Sequence, residues 1–394
     1  VEASRLQALG DPEWEALLGL SRRLDVAPLL YQRLQAGGAD TATPPAVGRV
    51  LRECYLATAA SNLRFYRELQ ALLGALRAAG VRVMVLKGAF LAEVVYRNVA
   101  LRPLGDLDLL VPVEELDKAV ECLRARGYHC LRPFDVEVHA RVRDQLPGFF
   151  RTGAAAMVDL HYGVAAPRPG HAVDVQGLWE RCVPARVAGT EVLSLCPEDL
   201  LLHLCGHLAY QHEFAFGLRP LCDIAATVEH YGADLRWEAL IARAGEWRWQ
   251  RGVYLALLCA RDLVGAPVPS EVLEAMRPAG PDADLRQAAR ALIVQGPPLE
   301  GAGIPATRFA HMWQQTGLGG RLRLALHYVL VSKESLAGQY GVPARSPRIY
   351  FCYGLRLRDL LANNVPIAAG LIRRRPETTR LLRSKDALRK WLTE

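Results

Sequence analysis

Residues 85 to 111 read Val-Leu-Lys-Gly-Ala-Phe-Leu-Ala-Glu-Val-Val-Tyr-Arg-Asn-Val-Ala-Leu-Arg-Pro-Leu-Gly-Asp-Leu-Asp-Leu-Leu-Val. An apolar strand ends at Lys87-Gly88, a short helix follows, and a second apolar strand carries Asp106 and Asp108. Residues i and i+2 of a strand share a side, so two carboxylates face one spot while Leu107, Leu109 and Val111 face the core. Like charges held that close repel each other, and such a pair calls for a cation. A hard divalent metal such as Mg²⁺ takes oxygen ligands and bridges to substrate phosphates. The Gly88 turn before the helix offers backbone N–H groups to those phosphates.

The flanks follow a different period. Trp14 to Leu34 places leucines at helical spacing, with a break near Val26-Ala27-Pro28. Ala46 to Ala79 reads as one long helix or two stacked ones, stopped by Gly80. From residue 81 strands are expected at Val81–Leu86, Leu107–Val111, Tyr128–Leu131, Val136–Val142, Phe149–Arg151 and Ala155–Tyr162. Helices are expected at Gly88–Tyr96 and Glu114–Arg126. After Pro197 the helical period returns, at Glu198–Tyr210, Leu218–Tyr231, Trp237–Ala244 and Gln250–Val264. Further helices are expected at Glu271–Met276, Asp284–Val294, Leu318–Val331 and from Arg348 onward. The expected class is α+β, with a small mixed-sheet α/β core flanked by helices. The expected regions are 1–80 helical, 81–196 the core, and 197–394 helical with a basic tail.

Composition excludes several classes. No apolar run approaches the 18 or so residues that span a membrane, and the first residues lack the basic-then-apolar pattern of a secretory signal. The nine cysteines contain no Cys-x-x-Cys pair and mostly sit in apolar helical contexts, so they read as small hydrophobes of a reducing, cytoplasmic setting. The net charge of +7 is mild, and residues 371–394 carry eight Lys/Arg against three Asp/Glu. No basic patch interleaved with aromatics and no helix-turn-helix signal points to sequence-specific nucleic acid.

Two strand carboxylates want a third on a neighbouring strand. Asp159 in Met157-Val158-Asp159-Leu160-His161 is the candidate, with His161 on the same side. Three carboxylates can hold two Mg²⁺ ions, one lowering the pKa of an attacking hydroxyl and both stabilising charge on a transferring phosphorus.

With these residues the chain resembles the DNA polymerase β-like nucleotidyltransferase superfamily, and within it a bacterial family of uncharacterised nucleotidyltransferases. The matching residues are Lys87-Gly88, Tyr96, Arg102, Asp106-Leu107-Asp108-Leu109-Leu110-Val111, Val158-Asp159-Leu160-His161, Cys196 to Cys205, and Arg219 with Asp223. Val26-Ala27-Pro28-Leu29-Leu30-Tyr31 also fits. The resemblance spans about residues 15 to 230. It implies a metal-dependent transfer of an NMP, AMP from ATP by expectation, to a hydroxyl or phosphate of a small-molecule or protein acceptor. It implies Asp106, Asp108 and Asp159 as catalytic metal ligands for Mg²⁺, with Mn²⁺ as an alternative. It implies Lys87, Gly88, Ala89, Arg102 and His161 on the nucleotide side. The superfamily's usual Gly-Ser is Gly88-Ala89 here, so no serine hydroxyl grips the triphosphate.

Several residues carry a plainer reading beside the functional one. Arg102 has a rival role in an ion pair with Asp106 or a nearby acid that holds the loop. Tyr96 reads as packing. His203 and His207, at i and i+4, mimic half a zinc site but lack the Glu a zinc protease needs, and read as packing against the core. His212 and Glu213 follow at that helix end. Arg219 and Asp223, also i and i+4, read as a helix ion pair. His139 is placed near the metal only if its strand lies beside Asp159. The rival function is a non-catalytic module that senses a nucleotide or binds a partner through the same pocket.

Overall fold

The computed structural model describes Leu6 and residues 8–37, 43–130, 144–165, 173–279, 283–296, 346–358 and 376–393. The expected strand at Val136–Val142, His139 within it, and the expected helix Leu318–Val331 lie outside these residues. Two compact units result, divided near residue 297. Among the described residues no helix is long and apolar enough to cross a membrane.

The first unit opens with α1 (Asp11–Arg23) and α2 (Ala27–Ala36). Pro12 sits in the first turn of α1 with Asp11 and Glu13, while Arg22 and Arg23 close its last turn, as the helix dipole favours. Helix α3 is a single helix, Pro45–Ala78. It buries Phe65, Leu69, Leu72, Leu73 and Leu76 along one stripe, and Gly80 ends it with φ +69°.

The core is a seven-stranded mixed sheet in the order β3-β4-β5-β2-β1-β7-β6. Its strands are β1 (Met84–Val85), β2 (Asp106–Leu110), β3 (His129–Cys130), β4 (Phe149–Phe150), β5 (Met157–His161), β6 (Val183–Val187) and β7 (Thr190–Ser194). Strands β2 and β5 run parallel at the centre, and β7 lies parallel to β1. Between β1 and β2 the chain forms α4 (Lys87–Phe90) and a π-helical turn, Leu91–Val95. Helix α5 (Leu116–Ala125) follows β2 and packs on α3. The hairpin β6–β7 was not anticipated from sequence. Its two-residue turn, Ala188-Gly189, has φ +52° and +70°, the conformation hairpins favour, and Gly189 was the available signal.

After the short α6 (Val175–Glu180), the unit ends in helices: α7 (Pro197–Gly206) with a π-helical turn, His207–Gln211, then α8 (Arg219–Tyr231), α9 (Trp237–Glu246), α10 (Gln250–Val264), α11 (Ser270–Met276) and α12 (Ala283–Gln295). The acids at the start of α7 do more than meet a helix dipole. Asp199 is buried and accepts from Arg243 at 2.8 Å and Arg181 at 3.1 Å, and Glu198 pairs with Arg236 at 3.1 Å. The second unit holds a helix over 349–358 and another, Pro376–Thr393.

Candidate active site

Strand β2 is buried on both faces, with Leu107, Leu109 and Leu110 almost wholly out of solvent. Its parallel register on β5 sets Asp106 opposite Met157, Asp108 opposite Asp159, and Leu110 opposite His161. Since i and i+2 share a side, Asp106, Asp108, Asp159 and His161 stand on one face of the sheet. Asp108, Asp159 and His161 are buried, and one ligating atom from each lies within 4.8 Å of the others.

The two facing carboxylates are tuned apart. Burial works to raise the pKa of Asp108, but the Lys87 charge and the His161 hydrogen bond outweigh it and hold the carboxyl below the usual range. Lys87 Nζ lies 3.4 Å and His161 Nε2 2.8 Å from the same oxygen, Asp108 Oδ1. An ionised carboxylate only accepts, so the His161 proton on this bond sits on Nε2. Asp159 moves the other way. Burial, followed by the charge of Asp108, pushes it up to about 6. Its Oδ1 is buried with no hydrogen-bond partner among the described residues. Asp106, half-buried at the strand start, is raised by burial and then by Asp108.

The β1–α4 junction carries backbone strain. Lys87 adopts φ +37°, a region that costs a side-chain-bearing residue about 1–2 kcal/mol. Gly88 and Ala89 are both buried. A Cβ on Gly88 would meet Arg102 Nη1 at 2.7 Å and Leu104 Cδ2 at 2.9 Å, so glycine makes room for the Arg102 guanidinium.

Arg102 forms an ion pair, and of the acids open to it, Asp106 or another nearby, the one it meets is Asp223. Its Nη2 lies 3.1 Å from Asp223 Oδ2 on α8, and Tyr96 donates to Asp223 Oδ1 at 3.0 Å. Asp223 therefore serves Arg102 and Tyr96 in place of an i, i+4 pair with Arg219, because the β1–β2 connection packs against α8 and brings a closer cation. Arg219 instead reaches Asp25, Nη1 to Oδ2 at 3.1 Å. Tyr96, expected to pack, uses its hydroxyl.

His203 projects from α7 toward the same region. Its Nδ1 lies 3.2 Å from the Val164 carbonyl and its Nε2 is buried without a partner among the described residues. Burial, then the Lys87 charge, drives the pKa values of His203 and His207 well below the ordinary imidazole value, so both are neutral. His207 stacks edge-on to His212, centroids 4.4 Å apart.

Asn62 is a positioning residue that sequence reasoning missed. It is fully buried on α3, donates to the carbonyls of Val99 at 2.6 Å and Arg102 at 2.8 Å, and accepts from Leu104 N–H at 3.2 Å. The available signal was a polar residue on the apolar stripe of an amphipathic helix.

A conserved-family model described as Uncharacterised nucleotidyltransferase matches residues 10–265. The chain belongs to this family. No curated protein matches the chain, and no solved structure does. The span of the nucleotidyltransferase match takes in α1 to α10, so the acid face, the Lys87 junction and the Arg102–Asp223 pair all lie inside it. Membership of a nucleotidyltransferase family and a buried Asp-Asp-His group able to hold a metal ion meet in the same part of the chain.

Proposed function

We propose that the chain transfers a nucleoside monophosphate, AMP from ATP, to a hydroxyl or phosphate of a small-molecule or protein acceptor and releases pyrophosphate. The observation that carries this reading is the β2–β5 register, which sets Asp108 opposite Asp159 with Asp106 beside them on one face. The donors fit a hard divalent ion. Asp108 and Asp159 bring carboxylate oxygens together with a His161 ring nitrogen, and Asp159 Oδ1 is buried with no hydrogen-bond partner among the described residues. Asp106, Asp108 and Asp159 would hold Mg²⁺, two ions in the full site, with Mn²⁺ an alternative. Bound there, the metal would supply charge stabilisation at the transferring phosphorus.

The remaining roles belong to the chain's own groups. Asp159, with its raised pKa, takes the proton of the acceptor hydroxyl. The acceptor oxygen then forms its bond to the α-phosphorus, and the bond to the β-phosphate oxygen breaks, its electron pair leaving with pyrophosphate. His161 orients Asp108 through Nε2. Lys87 and the amides of Gly88 and Ala89 serve the phosphate side. Arg102 braces the β1–β2 connection against Asp223.

The test is transfer of label from α-labelled ATP into acceptor fractions of a cell extract, with Mg²⁺ and with Mn²⁺. Wild type is expected to label a species that Asp108→Asn does not. Wild type and Asp108→Asn giving the same blank with every NTP would overturn the proposal, and ATP binding without turnover would favour a sensing module.

A further inference from the structure

Among the described residues Lys87, Arg102 and Arg219 are the cations that act on Asp106, and the first two each have a buried carboxylate partner. Lys87, already given to the phosphate side, also pairs with Asp108, and Arg102 pairs with Asp223. Arg219 differs. Its side chain is only 16% exposed, yet its Nε is buried with no hydrogen-bond partner among the described residues. The carboxylate it does reach, Asp25, is half exposed and open to water, so that pair is weak compensation for a buried cation. Burial first, and then the neighbouring positive charge of Arg102, disfavour the charged form of Arg219, while Asp223, Asp25 and Asp106 favour it. The same attraction is felt at Asp106. Arg219 stands one helical turn before Asp223, which holds Arg102 beside Gly88, and its Nε has no hydrogen-bond partner among the described residues.

The local backbone is built to hold it there. Arg219 rests over the ring of Phe216, 5.1 Å from its centroid, and Phe216 packs on His212 with centroids 4.0 Å apart. The connecting loop contains two consecutive left-handed residues that are not glycine, Glu213 at φ +48° and Phe214 at φ +62°, and then Gly217 at φ +84°. Such a pair persists only where its surroundings over-determine it. Phe214 is wholly buried and its N–H donates to the Leu208 carbonyl at 3.0 Å.

We propose that Arg219 receives the triphosphate of the nucleotide, with Phe216 fixing the plane of its guanidinium. This rests on the nucleotidyl-transfer reading and adds a second cation beside Lys87 on its phosphate side. Phosphate oxygens match the guanidinium fork, and one of them would supply the acceptor that Arg219 Nε lacks among the described residues.

The experiment is calorimetric titration of the full chain with ATP and with AMP in MgCl₂, for wild type, Arg219→Ala, Arg219→Gln and Asp25→Asn, each with its ligand-free melting temperature. Arg219→Ala and Arg219→Gln are expected to weaken ATP about 10- to 100-fold, the scale of a lost charge-assisted contact. The ratio of ATP to AMP affinity should fall by a similar factor, and Asp25→Asn should bind ATP like wild type. Arg219→Gln keeps most of the side-chain volume and serves if the alanine variant does not fold. ATP affinity unchanged in the Arg219 variants, or Asp25→Asn weakening ATP equally, would overturn the assignment and leave nucleotidyl transfer standing. Wild type that binds no NTP at all would overturn both.

Discussion

Asp108 and Asp159 face each other as register partners on adjacent parallel strands, and their surroundings drive their pKa values in opposite directions. Lys87 and His161 both address Asp108 Oδ1, whereas Asp159 Oδ1 has no partner among the described residues. The folded chain thus keeps one acid ionised and the other costly to ionise. Under the proposed function this would make Asp108 the fixed charge and Asp159 the proton acceptor.

The cost at Asp159 is measurable as stability. Its folded pKa, about 6, lies above its unfolded value, so the folded state binds the proton more tightly. The penalty is absent below the unfolded pKa, grows as pH rises toward 6, and is complete above it. Asp159→Asn is expected to stabilise the metal-free protein by about 2–3 kcal/mol at pH 8 and to change it little at pH 4. Urea denaturation in EDTA at the two pH values measures this. Equal effects at both would show that Asp159 is not the titrating group.

Metal binding should carry the same proton. A divalent ion competes with the proton on Asp159, so Mn²⁺ affinity is expected to rise with pH until Asp159 is ionised, near 6, and then level off. Calorimetry in buffers of different ionisation enthalpy counts the protons released. In Asp159→Asn the affinity should fall and its rise with pH near 6 should shrink, leaving the part that Asp106 contributes.

Arg102 and Asp223 form a buried pair that joins the β1–β2 connection to α8. Removing one partner strands the other charge in the interior. Arg102→Ala and Asp223→Ala are each expected to cost about 3–5 kcal/mol, and Tyr96→Phe about 1 kcal/mol for its single hydrogen bond to Asp223. Chemical denaturation of the single and double variants measures both the costs and their coupling, and an additive Arg102/Asp223 pair would contradict the assignment.

Gly148 guards the third acid. A Cβ there would stand 2.6 Å from Met157 Sδ and 3.0 Å from Asp159 Oδ1. The methionine can yield, but the carboxylate loses room on the side where its unpartnered oxygen lies. Gly148→Ala is expected to destabilise by about 1–3 kcal/mol and to weaken metal binding along with it, read by thermal denaturation and Mn²⁺ titration. Wild-type metal affinity in this variant would show that the space beside Asp159 Oδ1 is not needed.

Much of the acid face was legible because strand alternation is a local rule. Asp-x-Asp inside an apolar run fixes two carboxylates on one side, and Val-Asp-Leu-His repeats the logic fifty residues later. Nothing in either segment says that the strands are neighbours or that Asp108 meets Asp159 residue for residue, because register is a long-range property of the sheet. The same limit misassigned the partner of Asp223. A helix places Arg219 at i−4, but the fold brings up Arg102 from 121 residues away. The β6–β7 hairpin escaped although β6 alternates half-buried and exposed positions, because its strands are only five residues long and Pro184 argues against a strand. Asn62 escaped because a single amide within a helical stripe says nothing of the loop it will hold.

The space that Gly88 leaves for Arg102 has an evolutionary consequence. The two positions share one volume, so neither can drift alone. A larger residue at 88 is excluded while arginine occupies 102, and a smaller residue at 102 opens a void while glycine remains at 88. Descendants of this chain should inherit Gly88 and Arg102 as a pair or exchange them together. Asp223, which holds the arginine in place, should follow Arg102 in any such exchange.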